Sequence, residues 1–124
     1  MHDKKFATAI NCMDGRVQLP VNDWIKKEFK VDFVDTITEP GPNKILAGNN
    51  EGAQSIKNRV LISVNKHGSR QIAIIGHHDC AGNPVDKATQ VTHISGAIKT
   101  IQSWDLGITV VGLWVDENLC VNKI

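Results

Sequence analysis

The sequence predicts an α/β fold in which a mainly parallel sheet lies between two layers of helices. Short apolar runs alternate along the chain with segments that repeat apolar residues at helical spacing. The run at residues 71–75 is almost wholly apolar, which is typical of a strand buried on both faces. With 124 residues and no repeat, linker or low-complexity tract, residues 1–124 are expected to form a single domain, a three-layer sandwich.

Four strands are predicted from apolar runs that end at polar or turn residues. They are residues 6–11, 32–37, 71–75 and 108–115. The sheet is expected to have four strands in the order 2-1-3-4, joined by right-handed crossovers. This order makes the first and third strands neighbours, and ligands bind in such sheets at the carboxyl ends beside that switch point.

Three amphipathic helices are predicted between the strands. They cover residues 21–29, 53–67 and 91–101. Pro20 suits the first turn of the first helix, and Gly68 is a suitable stop for the second. Residues 39–43 are expected to be a loop because Pro and Gly interrupt both helices and strands.

Charge and composition exclude several classes of function. Fourteen basic and thirteen acidic residues give a formal net charge of +1, so we expect neither nucleic acid nor an anionic membrane as a partner. The apolar runs are too short to span a bilayer, and the run after Lys5 is too short for a signal peptide. We therefore expect a cytoplasmic protein. Three cysteines without an export signal indicate thiols or metal ligands rather than disulfides.

The candidate metal-binding residues follow the first and third strands. Cys12, His77 and Cys80 form a Cys…His-x-x-Cys set, and two thiolates with one imidazole suit Zn²⁺ and leave a fourth position open. Alternatively, Cys12 and Cys80 are buried apolar thiols, a common state of cysteine. Cys120 has no metal-type spacing, so we expect it to be structural.

Asp14 and Arg16 share the loop of Cys12. An Asp paired with Arg is held ionised and oriented, and such an Asp could accept a proton from a metal-bound water or itself bind the open position. The alternative is a surface ion pair of little energetic value. His78 and Asp79 lie in the second loop and could shuttle protons, but adjacent histidines more often simply face solvent.

The two motifs together resemble those of the β-class carbonic anhydrases. Cys12-Met-Asp14-Gly-Arg16 is similar to their C-x-D-x-R signature, and Gly76-His77-His-Asp-Cys80 to their G-H-x-x-C signature. The resemblance covers residues 6 to about 82 and a final strand near 108–115. It implies that Cys12, His77 and Cys80 bind zinc and that Asp14 and Arg16 form the catalytic dyad. It also implies a homodimer or a higher homo-oligomer.

Three departures from the family pattern concern the surroundings of the site. The first strand begins close to the start of this sequence, where family members carry a helical arm. Residues 38–43 replace an Arg-Asn-Ala-Gly-Asn segment, and Ala81 stands where Gly is usual.

The sequence leaves three hypotheses open. One is reversible hydration of CO₂ to bicarbonate by a zinc-bound hydroxide, or hydrolysis of a similar molecule such as carbonyl sulfide or carbon disulfide. The second is a zinc-binding relative without this activity, acting as a binding or regulatory module. The third is a small redox or nucleotide-binding domain whose cysteines are incidental.

Overall fold

The computed structural model describes residues 4–49 and 51–124, which form a five-stranded sheet with helices on both faces. The strands are β1 (Phe6–Cys12), β2 (Phe33–Glu39), β3 (Gln71–His77), β4 (Thr109–Val115) and β5 (Val121–Lys123). The helices are α1 (Gln18–Phe29), α2 (Pro42–Gly48), α3 (Glu51–His67) and α4 (Lys87–Gln102), and a 3₁₀ turn covers Gly15–Val17. The predicted α/β class and three-layer arrangement are confirmed.

The strand order is β2-β1-β3-β4-β5. The first four strands are parallel and follow the predicted order, and β5 pairs antiparallel with β4. Strand β5 was not predicted from the sequence, because its three residues are too few to show a strand periodicity. They pair with β4 after a turn that folds the chain back along the edge of the sheet.

Two apolar cores lie on opposite faces of the sheet. On one face, α1 packs Val21 and Ile25 against small and branched residues of β1, β3 and β4. On the other, α2, α3 and α4 pack residues such as Leu46, Ile56 and Ile94 against the sheet. Because both faces are covered, β3 is apolar along nearly its whole length.

Residues 39–43 were expected to be a loop, and this prediction was only partly right. Glu39 ends β2, and Pro42 begins helix α2. Gly41 has a φ of +63°, a left-handed conformation that turns the chain out of the strand. Pro42 then has the fixed φ that suits a first helical position. The residues that interrupt one element therefore begin the next.

The central strands separate before they reach the carboxyl edge. Pairing of β1 with β3 is confined to Thr8–Ile10 and Ile72–Ile74, whereas β3 pairs with β4 as far as His77 and Val115. A crevice therefore opens between the ends of β1 and β3, where Cys12 and His77 lie. None of the helices among the described residues has the length and apolarity needed to cross a membrane.

Candidate metal centre

The fold brings Cys12, His77 and Cys80 together at this crevice. Cys12 ends β1, His77 ends β3, and Cys80 lies in the turn after β3. Their ligand atoms all lie within 4.8 Å of one another, and all three residues are buried. We call residues 12–16 the first ligand loop and residues 77–83 the second ligand loop.

The two thiols have a separation that suits a shared metal ion. The Sγ atoms of Cys12 and Cys80 are 3.8 Å apart, and neither cysteine is in a disulfide. Two sulfurs at tetrahedral positions, each about 2.3 Å from a zinc ion, would be about 3.8 Å apart. The convergence of both sulfur atoms on the His77 ring favours metal ligands over the alternative interpretation of buried apolar thiols.

The Nε2 atom of the His77 ring is the third candidate ligand atom. Its Nδ1 atom lies 2.8 Å from the His78 carbonyl oxygen, which can only accept, so Nδ1 carries the proton when the ring is neutral. The Nε2 atom is buried and has no hydrogen-bond partner of good geometry among the described residues. A histidine that binds a metal commonly donates its other N–H to a backbone carbonyl in this way, so the residues present fit a metal ion.

The protonation of the two thiols is strongly asymmetric. The hydrogen bond from the Cys80 thiol lowers the pKa of Cys12 to about 3; burial opposes this shift, while His77 and the backbone N–H groups of Gly41 and Asp14 support it. The same bond and burial raise the pKa of Cys80. Without a metal, the pair therefore holds a single negative charge. A bound cation would favour the loss of the second proton.

The charge of this pair also acts on His77. Burial lowers the pKa of the imidazole, but the nearby Cys12 sulfur and the His78 carbonyl together outweigh burial and raise it. The centre without metal is thus a compact group of one imidazole and two sulfurs in which positive charge is stabilised. Such an electrostatic environment favours the binding of a cation.

Asp14 and Arg16 form a bidentate ion pair in the first ligand loop. Arg16 Nη2 lies 2.7 Å from Asp14 Oδ2, and Arg16 Nε donates to Asp14 Oδ1 at 3.1 Å. Asp14 also caps the 3₁₀ turn by accepting the Arg16 backbone N–H. These bonds lower the pKa of Asp14 to about 2, so its carboxylate is ionised across the neutral range. The interpretation of Asp14 and Arg16 as an isolated surface pair is incomplete, because Arg16 also reaches the second ligand loop.

That contact joins the two loops at the surface. Arg16 Nη2 donates to the Asp79 carbonyl oxygen at 3.1 Å, and Arg16 Nη1 lies 3.5 Å from the Asp79 carboxylate. His78 and Asp79 are both exposed, as expected. Cys120 is exposed in the turn before β5 and is not part of the metal-capable group.

A small recess lies beside His77 and Arg16. It has a volume of about 20 Å³, and its walls include His77, Arg16 and Val115. A recess of that size has room for about one water molecule. A larger concavity of about 550 Å³ lies between α2 and α4, with Gly41 and Gly82 among its lining residues.

The sequence analysis missed the residues that hold the loops together. Gly41 and Gly82 pack so closely that a Cβ on Gly82 would lie 2.3 Å from the Pro40 carbonyl carbon. Asn43, Asn83 and Gln90 are buried amides behind the second ligand loop. One signal was available for Gln90: it lies four residues before Ile94, on the apolar face of its helix.

Comparison with known proteins defines the class. A family model described as "Putative carbonic anhydrase" matches residues 2–124. The chain therefore belongs to the carbonic anhydrase family, and its fold is that of the β-class. A comparison with curated protein sequences finds no match.

Three solved structures illustrate the likeness of fold. A carbonic anhydrase from Streptococcus mutans has a TM-score of 0.65 and 15% identity, over 95% of this chain and 80% of that chain. The β-carbonic anhydrase CafA of Aspergillus fumigatus has a TM-score of 0.60 and 13% identity, over 98% and 75%. A tetrameric β-carbonic anhydrase from Sordaria macrospora has a TM-score of 0.61 and 10% identity, over 98% and 80%.

Proposed function

We propose that this protein is a zinc-dependent carbonic anhydrase that reversibly hydrates CO₂ to bicarbonate. The observation that carries the proposal is the convergence of two thiols and an unpartnered buried imidazole nitrogen beside an ionised Asp–Arg pair. Cys12, His77 and Cys80 would hold the metal. When bound, zinc supplies the Lewis acidity that makes water a nucleophile near neutral pH.

Asp14 is the residue to which we assign the orientation of the reacting water. Its pKa of about 2 keeps it as a carboxylate that can only accept hydrogen bonds, so it orients a water molecule by accepting from its O–H. Arg16 holds both carboxylate oxygens and prevents the side chain from rotating away. The pair therefore supplies orientation and a fixed negative charge close to His77.

The near-neutral charge of the chain is compatible with a small uncharged substrate. A neutral triatomic molecule needs little room and no electrostatic steering, which agrees with the formal net charge of +1. Carbonyl sulfide and carbon disulfide have a similar linear shape, so they are the competing substrates to be tested.

We further propose that the chain assembles as a homo-oligomer. The relatives from Sordaria macrospora are described as tetrameric. In the described part of this chain the recess is bounded partly by exposed residues such as Glu117 and Leu119. A second copy would provide the cover that these residues lack.

Two measurements on the purified protein test the function. Zinc content is determined by mass spectrometry for the wild type, Cys80→Ser and the matched control Cys120→Ser. We expect zinc in the wild type and in Cys120→Ser, and little in Cys80→Ser. CO₂ hydration is then followed by stopped flow with a pH indicator, with and without a chelator.

The outcomes separate the three hypotheses. Zinc with chelator-sensitive hydration supports the proposal. Zinc without hydration of CO₂ contradicts it and favours the binding module, or a hydrolase if carbonyl sulfide or carbon disulfide is consumed. Absence of zinc from all three proteins would contradict every zinc-based hypothesis.

A further inference from the structure

Gln90 is a polar residue placed in an apolar helix face. It is 1% exposed and lies on the side of α4 that carries Ile94 and Ile101 into the core. A buried amide without hydrogen bonds would cost several kcal/mol. The hydrogen-bond partners of Gln90 therefore indicate its role.

The backbone of His77 lacks a strand partner on one side. The neighbouring His78 N–H donates to Val115 in β4, so the N–H and carbonyl of His77 point towards β1. The ladder between β1 and β3 ends at Ile10 and Ile74, before His77 is reached. Without another partner, both backbone groups would be buried and unpaired.

The Gln90 side chain takes the place of the missing strand. Its Nε2 atom donates to the His77 carbonyl oxygen at 2.8 Å, and the His77 N–H donates to its Oε1 atom at 3.3 Å. The two bonds hold the peptide groups on both sides of the His77 Cα atom. The His77 ring, which carries the unpartnered Nε2 atom, is attached to this backbone.

Neighbouring amides extend the contact to the rest of the second ligand loop. Gln90 Nε2 lies 3.4 Å from the Asn83 carbonyl oxygen, and Asn43 Nδ2 donates to Gln90 Oε1 at 3.1 Å. Asn83 Nδ2 in turn donates to Asn43 Oδ1 at 3.2 Å. The Asn83 backbone N–H interacts with the Cys80 sulfur. One network thus reaches the backbone of His77 and the environment of Cys80.

Gly76 provides the space for this network. A Cβ at Gly76 would lie 2.8 Å from both Asn43 Nδ2 and Gln90 Oε1. The amides therefore sit directly on the strand backbone beside the first ligand of the loop. This gives a physical reason for glycine immediately before His77.

We propose that Gln90 is a positioning residue of the metal centre, holding the His77 backbone and the second ligand loop where their ligand atoms meet the Cys12 thiol. The inference rests on the proposed metal function of these residues. Removing the amide frees His77 and the loop to relax away from Cys12. Outer partners of metal ligands typically contribute 10- to 100-fold to affinity, and we expect a loss in that range.

The test compares two variants of α4. Gln90→Leu keeps the side-chain size and removes all the amide bonds. Thr100→Val is the matched control, because Thr100 Oγ1 donates to the Leu46 carbonyl at 2.8 Å and so joins α4 to α2 away from the ligand loops. Zinc affinity is measured by competition with a chromophoric chelator, and thermal stability is measured separately without metal.

The visible absorption spectrum of the cobalt-substituted protein reports the geometry of the metal ligands. If Gln90 only stabilised the fold, its replacement would leave that spectrum unchanged. We expect Gln90→Leu to bind zinc about 10- to 100-fold more weakly and to alter the visible cobalt bands. Thr100→Val should lose stability and keep the wild-type affinity and spectrum. Equal affinities and spectra for Gln90→Leu and the wild type would overturn the proposal.

A second variant covers the case in which Gln90→Leu does not fold. Asn43→Ala removes one bond to Gln90 Oε1 and should weaken zinc binding to a smaller degree, with the same change in the cobalt bands. Wild-type affinity in that variant would then overturn the proposal. A wild-type chain that binds neither metal would instead contradict the proposed function, so the two failures are distinguishable.

Discussion

The two ligand loops lie side by side at the end of the sheet, but they are held in different ways. The first ligand loop is shaped by charge: Asp14 and Arg16 pair at a partly exposed surface. The second ligand loop is shaped by neutral contacts: Gln90 and Asn83 are buried amides, and Gly82 packs against the Pro40–Gly41 backbone. The first arrangement suits the orientation of a reacting water, and the second suits the precise placement of two ligands.

The difference has a physical reason. An ionised carboxylate loses less solvation free energy where water reaches it. The Asp14 side chain is 21% exposed. Neutral amides can fix the backbone of buried metal ligands without adding a further charge. The first ligand loop therefore carries the ion pair, and the second ligand loop is held by neutral groups.

The largest expected effect comes from removing the charge of the first ligand loop. Asp14→Asn keeps the shape of the side chain but removes its negative charge. We expect zinc content to be retained and CO₂ hydration to fall by about 10²- to 10³-fold, the range for losing one preorganised polar group at a reacting centre. Stopped-flow assays on zinc-loaded protein measure this. Unchanged turnover would remove Asp14 from the mechanism.

The packing of the second ligand loop is tested by a pair of glycines. Gly82→Ala places a Cβ 2.3 Å from the Pro40 carbonyl carbon and 2.7 Å from the Gly41 nitrogen. Backbone atoms cannot rotate aside, so we expect a loss of about 3 kcal/mol in the free energy of unfolding, measured by urea titration. Gly15→Ala in the first ligand loop is the control, because its Cβ would have no atom within 4 Å. Similar losses in both variants would contradict the contrast between the loops.

The pH dependence of stability tests the ion pair. The pKa of Asp14 is lowered from 3.8 to about 2, so the unfolded state binds its proton first as pH falls. The pair therefore stabilises the fold above about pH 4, and that contribution is lost as pH falls towards 2. Arg16→Gln should be slightly less stable than the wild type at pH 6.

Urea titrations at several pH values measure the difference between these two proteins. The gap between their midpoints should narrow progressively below pH 4. A gap that is independent of pH would show that Arg16 stabilises the fold through its contact with the Asp79 carbonyl rather than through the charge of Asp14.

The smallest effect is expected from the exposed charge of the second ligand loop. Asp79 has a φ of +58°, a conformation that Asn also tolerates, and its side chain is 74% exposed. Asp79→Asn should change the free energy of unfolding by about 0.5 kcal/mol or less and leave hydration near the wild-type rate. A large loss of activity would mean that charge matters in both loops.

The sequence was most informative where a residue type and its position both follow from simple rules. The apolar run of β3 and the His-x-x-Cys set after it predict a buried strand ending in candidate ligands, and the structure brings His77 and Cys80 to that edge. Helix α2 and strand β5 escaped prediction because each is short. Their formation depends on a left-handed Gly41 and on pairing with β4, which local periodicity does not report.

The sequence by itself determined the α/β class and the candidate ligands Cys12, His77 and Cys80, because periodicity and ligand chemistry are local properties. Only the tertiary structure decided that β1 and β3 separate before His77, that Gln90 fills the gap, and that Arg16 reaches across to Asp79. These contacts join residues from 13 to 63 positions apart. They exist because unpaired backbone groups and charges must find partners once the chain is folded.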